Sequence, residues 1–159
     1  MKSRRARSTK RGPEYHVTVS FQAPLDFVFA WCTDYTPEDA SLEDESYTRK
    51  VIERTPRRVV FEDLEETDTG WDWSRAVVSL RPPSRWHMDG VGNRVDVVAD
   101  YLLTKLPDGR TRLDLTWKRQ PRMAGLKQKT KAEREASATH AWKLFAAALE
   151  RDYDRSRGH

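Results

Sequence analysis

The chain of 159 residues is one domain's length, and no run approaches the ~20 apolar residues that a membrane-spanning helix needs. Charged residues make up 34% of it, yet six Trp, five Tyr and five Phe are too many aromatics for a disordered chain. One cysteine, Cys32, excludes an internal disulfide framework and any Cys-based zinc site, and points to a reducing compartment.

The net charge of +4 is concentrated at the start. Residues 1–12 hold Lys2, Arg4, Arg5, Arg7, Lys10 and Arg11 and no acid. Taking these six from 29 leaves 23 basic residues against 25 acidic ones, a net charge of −2 for the rest. Such a block suits nucleic acid or anionic lipid, but a disordered, solvated tail is the simpler reading. A single domain is expected over 13–157. No apolar stretch of signal-peptide length follows the charges, so the expected location is the cytoplasm.

Tyr15, Val17, Val19 and Phe21 alternate with polar residues, which predicts a half-buried strand. Pro24 opens a short helix carrying Leu25, Val28, Phe29 and Cys32 at helical spacing. The acidic stretch 36–45 reads as a second helical turn or loop, with Thr36 as its cap. Strands follow at about 46–54, 58–66, 71–80, 85–91, 94–106 and 110–119, separated by TPR, TDTG, RPPS, GN and PDG turns. From about Gln128 to Asp154, Ala138, Ala141, Trp142, Phe145, Ala148 and Leu149 recur every three or four residues, the stripe of a long helix.

Hairpin geometry assigns faces to the strands. Pro107-Asp108-Gly109 suits a type I turn with a glycine bulge closed by Leu106 and Arg110, which sets Leu103 opposite Leu113, Tyr101 opposite Leu115 and Ala99 opposite Trp117. Gly92-Asn93 as a two-residue loop pairs Met88 with Val97 and Trp86 with Ala99. One face then collects Trp86, Met88, Val95, Val97, Ala99, Tyr101, Leu103, Leu113, Leu115 and Trp117, and the other is largely charged. The fold class is α+β: a seven-stranded antiparallel sheet whose apolar face is covered by the C-terminal helix.

This arrangement resembles the START-like superfamily, also called SRPBCC or Bet v 1-like, from about Glu14 to Arg157. Two segments carry the likeness: VTVSFQAPLDFVFAWCTDY, similar to the family's first strand and helix, and LPDGRTRLDLTWKRQP, with Gly109, Thr111 and Leu113 in its hairpin. The resemblance implies a helix-grip fold, a curved sheet wrapped around the last helix, with a pocket between them for an apolar or aromatic ligand. Polyketide cyclase/dehydrase-like and lipid-transport-like members are the nearest in kind. Members include enzymes, carriers, sensors and co-chaperones, so no catalytic residues carry over and enzymatic activity stays open.

The expected ligand-binding residues are Trp86, Met88, Val97, Ala99, Tyr101, Leu115 and Trp117 on the sheet, and Ala141, Trp142 and Phe145 on the helix. The strand VVFEDLEET admits two registers, one turning Asp63 inward and the other Glu62, so Glu62, Asp63 and Tyr101 are the polar pocket candidates. His16 and His87 fall on the polar face, and His140 on the long helix is a rim group at most. Cys32 reads as a buried structural thiol. No two histidines have metal-ligand spacing and no nucleotide-binding motif is present, so neither metal nor cofactor is expected. Residues 117–134 hold seven basic groups and one acid, Glu133: a surface for an acidic ligand or partner, or a solvated loop. With only Trp117 to interleave, nucleic acid is disfavoured as a partner. The leading function is binding a small hydrophobic or aromatic molecule in an internal cavity, with a co-chaperone-like interaction module as the alternative. A homodimer is compatible with either.

Overall fold

The computed structural model describes residues 12–42, 46–125 and 128–158. The basic block therefore lies, but for Gly12, outside the described residues. In chain order the elements are β1 (Glu14–Phe21), α1 (Leu25–Cys32), α2 (Asp39–Leu42), β2 (Thr48–Thr55), β3 (Arg58–Thr67), β4 (Gly70–Arg81), β5 (Arg85–Gly92), β6 (Val95–Lys105), β7 (Thr111–Pro121) and α3 (Lys131–Ser156). The strands form one antiparallel sheet in the order β1-β7-β6-β5-β4-β3-β2. It is curved, and with α3 it makes the helix-grip arrangement.

The β6–β7 hairpin is closed as the turn chemistry requires. Leu106 N–H donates to Arg110 O, and Gly109 takes a φ of 87°, the left-handed conformation that glycine occupies without strain. Leu103 faces Leu113, Tyr101 faces Leu115 and Ala99 faces Trp117. The β5–β6 hairpin differs from the sequence expectation. Trp86 pairs with Tyr101 and Met88 with Ala99, two residues along from the expected partners, so faces are kept while the register slides. The loop is Asn93-Arg94, because Gly92 is consumed as a strand residue where backbones crowd. A Cβ at Gly92 would lie 2.7 Å from Val95 O and 3.0 Å from Trp73 O. Asn93 then locks onto β4: Trp73 N–H donates to its Oδ1 at 2.9 Å, and its Nδ2 donates to Trp71 O at 2.7 Å.

α3 begins three residues later than the periodicity suggests, because Thr130 is its cap and accepts from Glu133 N–H. It packs mainly along β1, with Trp142 edge-on to Phe21 and Leu149 fully buried. α1 fills the remaining angle: Val28 is fully buried, and Phe29 meets Trp86 edge-on at 5.7 Å. Phe27 packs on Tyr153 of α3, and Trp31 Nε1 donates to Asp152 of the same helix. The fully buried Val28 and Leu149 each contribute roughly 1.5–3 kcal/mol.

Two neighbouring glycines give a stability test. Gly92→Ala should destabilise the fold by ~1–3 kcal/mol in urea denaturation, since its clash is with backbone rather than with a movable side chain. Gly90→Ala, whose Cβ would meet Val97 O at an ordinary 3.4 Å, should cost little or add stability.

Candidate ligand-binding site

Just beyond α1 the chain makes a strained turn. Tyr35 has a φ of 44°, a region that bulky residues seldom occupy. The turn drives its side chain into the core. Its ring stacks on Phe61 at 5.0 Å, and its hydroxyl accepts a hydrogen bond from Trp86 Nε1 at 3.0 Å. Burial raises the Tyr35 hydroxyl well above its ordinary value, so it stays neutral. Trp86 is in turn stacked on Tyr101, with ring centres 4.6 Å apart.

Arg49, on β2, is the centre of the polar part. Its side chain is only 7% exposed. Nη1 donates to Asp39 at 2.6 Å, while Nε and Nη2 clamp both oxygens of Asp63 at 2.8 and 2.9 Å. The guanidinium also lies 4.1 Å from the Phe61 ring centre and 5.1 Å from that of Tyr47. Burial works against its charge, but Asp63 and Asp39 outweigh that and hold it above its ordinary value. Asp39 is raised by burial in spite of Arg49. Asp34 is pushed up to about 6, by burial and then by the charge of Asp39. Burial and these acids also push up the Cys32 thiol, which stays protonated and unsuited to nucleophilic work.

Two hollows meet at this cluster and share Tyr47, Arg49 and Met88 as walls. The inner one, about 190 Å³, lies between the sheet, α1 and α3, and is walled by Trp31, Tyr35, Tyr101, Trp142 and Phe145. The outer one, about 370 Å³, lies over β2 to β6, where Ser74, Ala76, Gly90 and Gly92 leave the concave face bare.

Of the residues singled out in the sequence, Met88, Val97, Tyr101, Trp142, Phe145 and Asp63 wall these hollows. Trp86, Ala99 and Leu115 are buried in the core behind them. Trp117 packs on Tyr15 at 5.4 Å, and Ala141 is half-buried on α3; neither is a wall. The open register of β3 is decided by Phe61 and Val59, which face the core and carry Asp63 inward with them. Glu62 is thereby on the opposite face, where it pairs with Arg75 at 2.6 Å. Asp63 is held by Arg49, and Tyr101 is stacked on Trp86. His87 lies on that opposite face between Asp100 and Asp89, and His140 is exposed.

Arg49 itself escapes the sequence reading. Its signal is the face it shares with Val51, but a β-bulge between Val51 and Glu53 hides it. Counted back from the Pro56-Arg57 turn without the bulge, Lys50 would oppose Asp63. The extra residue, Ile52, shifts the pairing by one and sets Arg49 there instead. Tyr35, Asp39 and Tyr47 reach the site from loop or short-helix positions that have no periodicity to read.

The sequence matches no family model and no curated protein. Solved structures do match. The Zhui aromatase/cyclase from Streptomyces sp. R1128 superposes with a TM-score of 0.65 at 18% identity, over 90% of this chain and 94% of that one. The protein TTHA0849 from Thermus thermophilus gives 0.69 at 12% identity, over 91% and 99%. A START superfamily protein from Mycobacterium smegmatis gives 0.64 at 13% identity, over 91% and 99%. The chain has the START-like fold. Among the described residues no helix is long and apolar enough to cross a membrane.

The cluster around Arg49 makes two measurable demands on its charges. Arg49→Leu should destabilise by about 3 kcal/mol, because it strands two partly buried carboxylates, and adding Asp39→Asn and Asp63→Asn should recover much of the loss. Asp34 titrates above the ~3.9 of a free aspartate, so the folded state binds more protons than the unfolded one between about pH 4 and 6. Its contribution to stability therefore falls as pH rises through that window. Asp34→Asn should raise Tm at pH 7.5 and flatten the change in Tm between pH 5 and 7.5.

Proposed function

We propose that this START-like domain binds a small hydrophobic or aromatic molecule in the two adjoining hollows. The observation that carries the reading is their construction. Aromatic walls from α1, the sheet and α3 surround the inner space, while four small residues keep the outer space open. Aromatic walls offer large contact area with little side-chain entropy to lose. The neutral Tyr35 hydroxyl and the clamped Arg49 give the ligand polar points of reference, suited to a carbonyl or phenol oxygen. The fold shared with an aromatase/cyclase supports a polyketide-like or aromatic ligand, to be turned over or carried.

Trp31, Trp73 and Trp142 stand in the walls, so binding has a direct readout. A panel of bicyclic and tricyclic phenols should include compounds that quench tryptophan fluorescence saturably. Gly90→Val should fill the outer hollow and reduce that quenching at least tenfold in affinity, with Tm unchanged or raised. The competing interaction module, with its groove filled by its own side chains, gives the opposite result: no saturable quenching by any compound, and a lower Tm for Gly90→Val through overpacking.

A further inference from the structure

Beside the outer hollow, and sharing Asp72 and Val95 with it, is a cleft of about 280 Å³ between the ends of β6 and β7 and the start of α3. Arg94, Arg119, Lys129 and Arg134 line it, with Asp72 as the single acid. None of the four cations forms an ion pair with a carboxylate among the described residues. Arg94 donates to the hydroxyls of Thr67 and Thr69, and Lys129 to that of Ser137. Arg134 is held over the Tyr15 ring at 5.7 Å, and its Nε is buried with no hydrogen-bond partner. A buried guanidinium N–H normally finds an acceptor, and one left without it is costly.

Arg119 is no better neutralised. Its charge is disfavoured by burial and then by Arg134, with Tyr15 and Asp72 acting weakly the other way. Two arginines that repel each other in a cleft, both lacking a carboxylate, form an arrangement completed by an anion from outside. The N-terminus of α3, which starts at Lys131, adds its dipole in the same sense. At the other end of the hollows the balance is reversed, since Arg49 is matched by Asp39 and Asp63 with Asp34 close by.

We propose that this cleft is an oxyanion-binding site, which takes the carboxylate or phosphate group of a ligand whose apolar body lies in the adjoining hollows. The direction of the ligand follows: acid group at Arg119 and Arg134, uncharged aromatic end toward Tyr35. The placement of the body rests on the cavity reading above; the anion site does not. A planar guanidinium pair suits the forked geometry of either oxyanion. Arg119, Lys129 and Arg134, three of the seven basic groups in 117–134, thus have a task that composition alone left open.

The test uses the whole protein at constant ionic strength, with inorganic phosphate, 2-naphthoate and the uncharged 2-naphthamide as probes. Phosphate should raise Tm in the parent and in Arg75→Gln, whose site is on the opposite sheet face, and the rise should vanish in Arg119→Gln. Without phosphate, Arg119→Gln should melt at the same temperature as the parent or higher, since it relieves repulsion, so a failure to fold is not the expected explanation. Naphthoate should bind at least tenfold more tightly than naphthamide in the parent, and equally in Arg119→Gln and Arg134→Gln. Stabilisation by phosphate without preference for naphthoate keeps the anion site and assigns it to a free anion, which overturns the shared ligand. Binding of naphthamide as tight as that of naphthoate, with no phosphate effect that depends on Arg119, overturns the anion site while leaving the cavity reading intact.

Discussion

The concave face of a seven-stranded antiparallel sheet is apolar over β5 to β7, and one helix is too narrow to cover the whole of it. This mismatch organises the molecule. α3 lies along β1 and reaches over to Tyr101 through Trp142. α1 closes the angle between them with Val28 and Phe29. Beyond these, among the described residues, the walls of the outer hollow over β2 to β6 are strand residues apart from Tyr47. An uncovered concave face either fills with large side chains or stays hollow. Here Ser74, Ala76, Gly90 and Gly92 keep it hollow.

The same shortage of cover explains the polar cluster. Where helix packing ends, Arg49 bridges α2 and β3 through Asp39 and Asp63, with its guanidinium against Phe61 and Tyr47. A buried ion pair of this kind adds little stability over apolar packing, but it fixes geometry, because either carboxylate alone would be costly to leave there. It also sets the sign of the charge at the inner end of the cavity. With Arg49 matched by two acids and the cleft beside the outer hollow lined by four cations, the charge along the hollows runs from a neutral or acidic end to a basic one.

The β6–β7 hairpin and the faces of its strands were legible because both follow from short-range rules. Alternation marks a half-buried strand, and the Pro107-Asp108-Gly109 turn admits one closing pair, so Leu103, Tyr101 and Ala99 could be set opposite Leu113, Leu115 and Trp117. The β5–β6 register was not legible. Gly92 looks like a turn residue, and only the proximity of Trp73 on a third strand makes it a strand residue instead. Arg49 was hidden for a related reason, since a single extra residue at Ile52 reverses which side of β2 faces inward.

By itself, then, the sequence determined the kind of fold: the number of strands, the faces of β5 to β7 and the stripe on the last helix are all properties of neighbours along the chain. The tertiary structure decided what the site is made of. Whether Trp86 walls a hollow or packs behind it, which cation clamps Asp63, and whether basic residues gather around one cleft all depend on residues far apart in sequence. Those contacts are set by bulges, a strained turn at Tyr35 and the fit of α1 and α3 against the sheet. Periodicity assigns a residue to a face. Only packing says which neighbour it finds there.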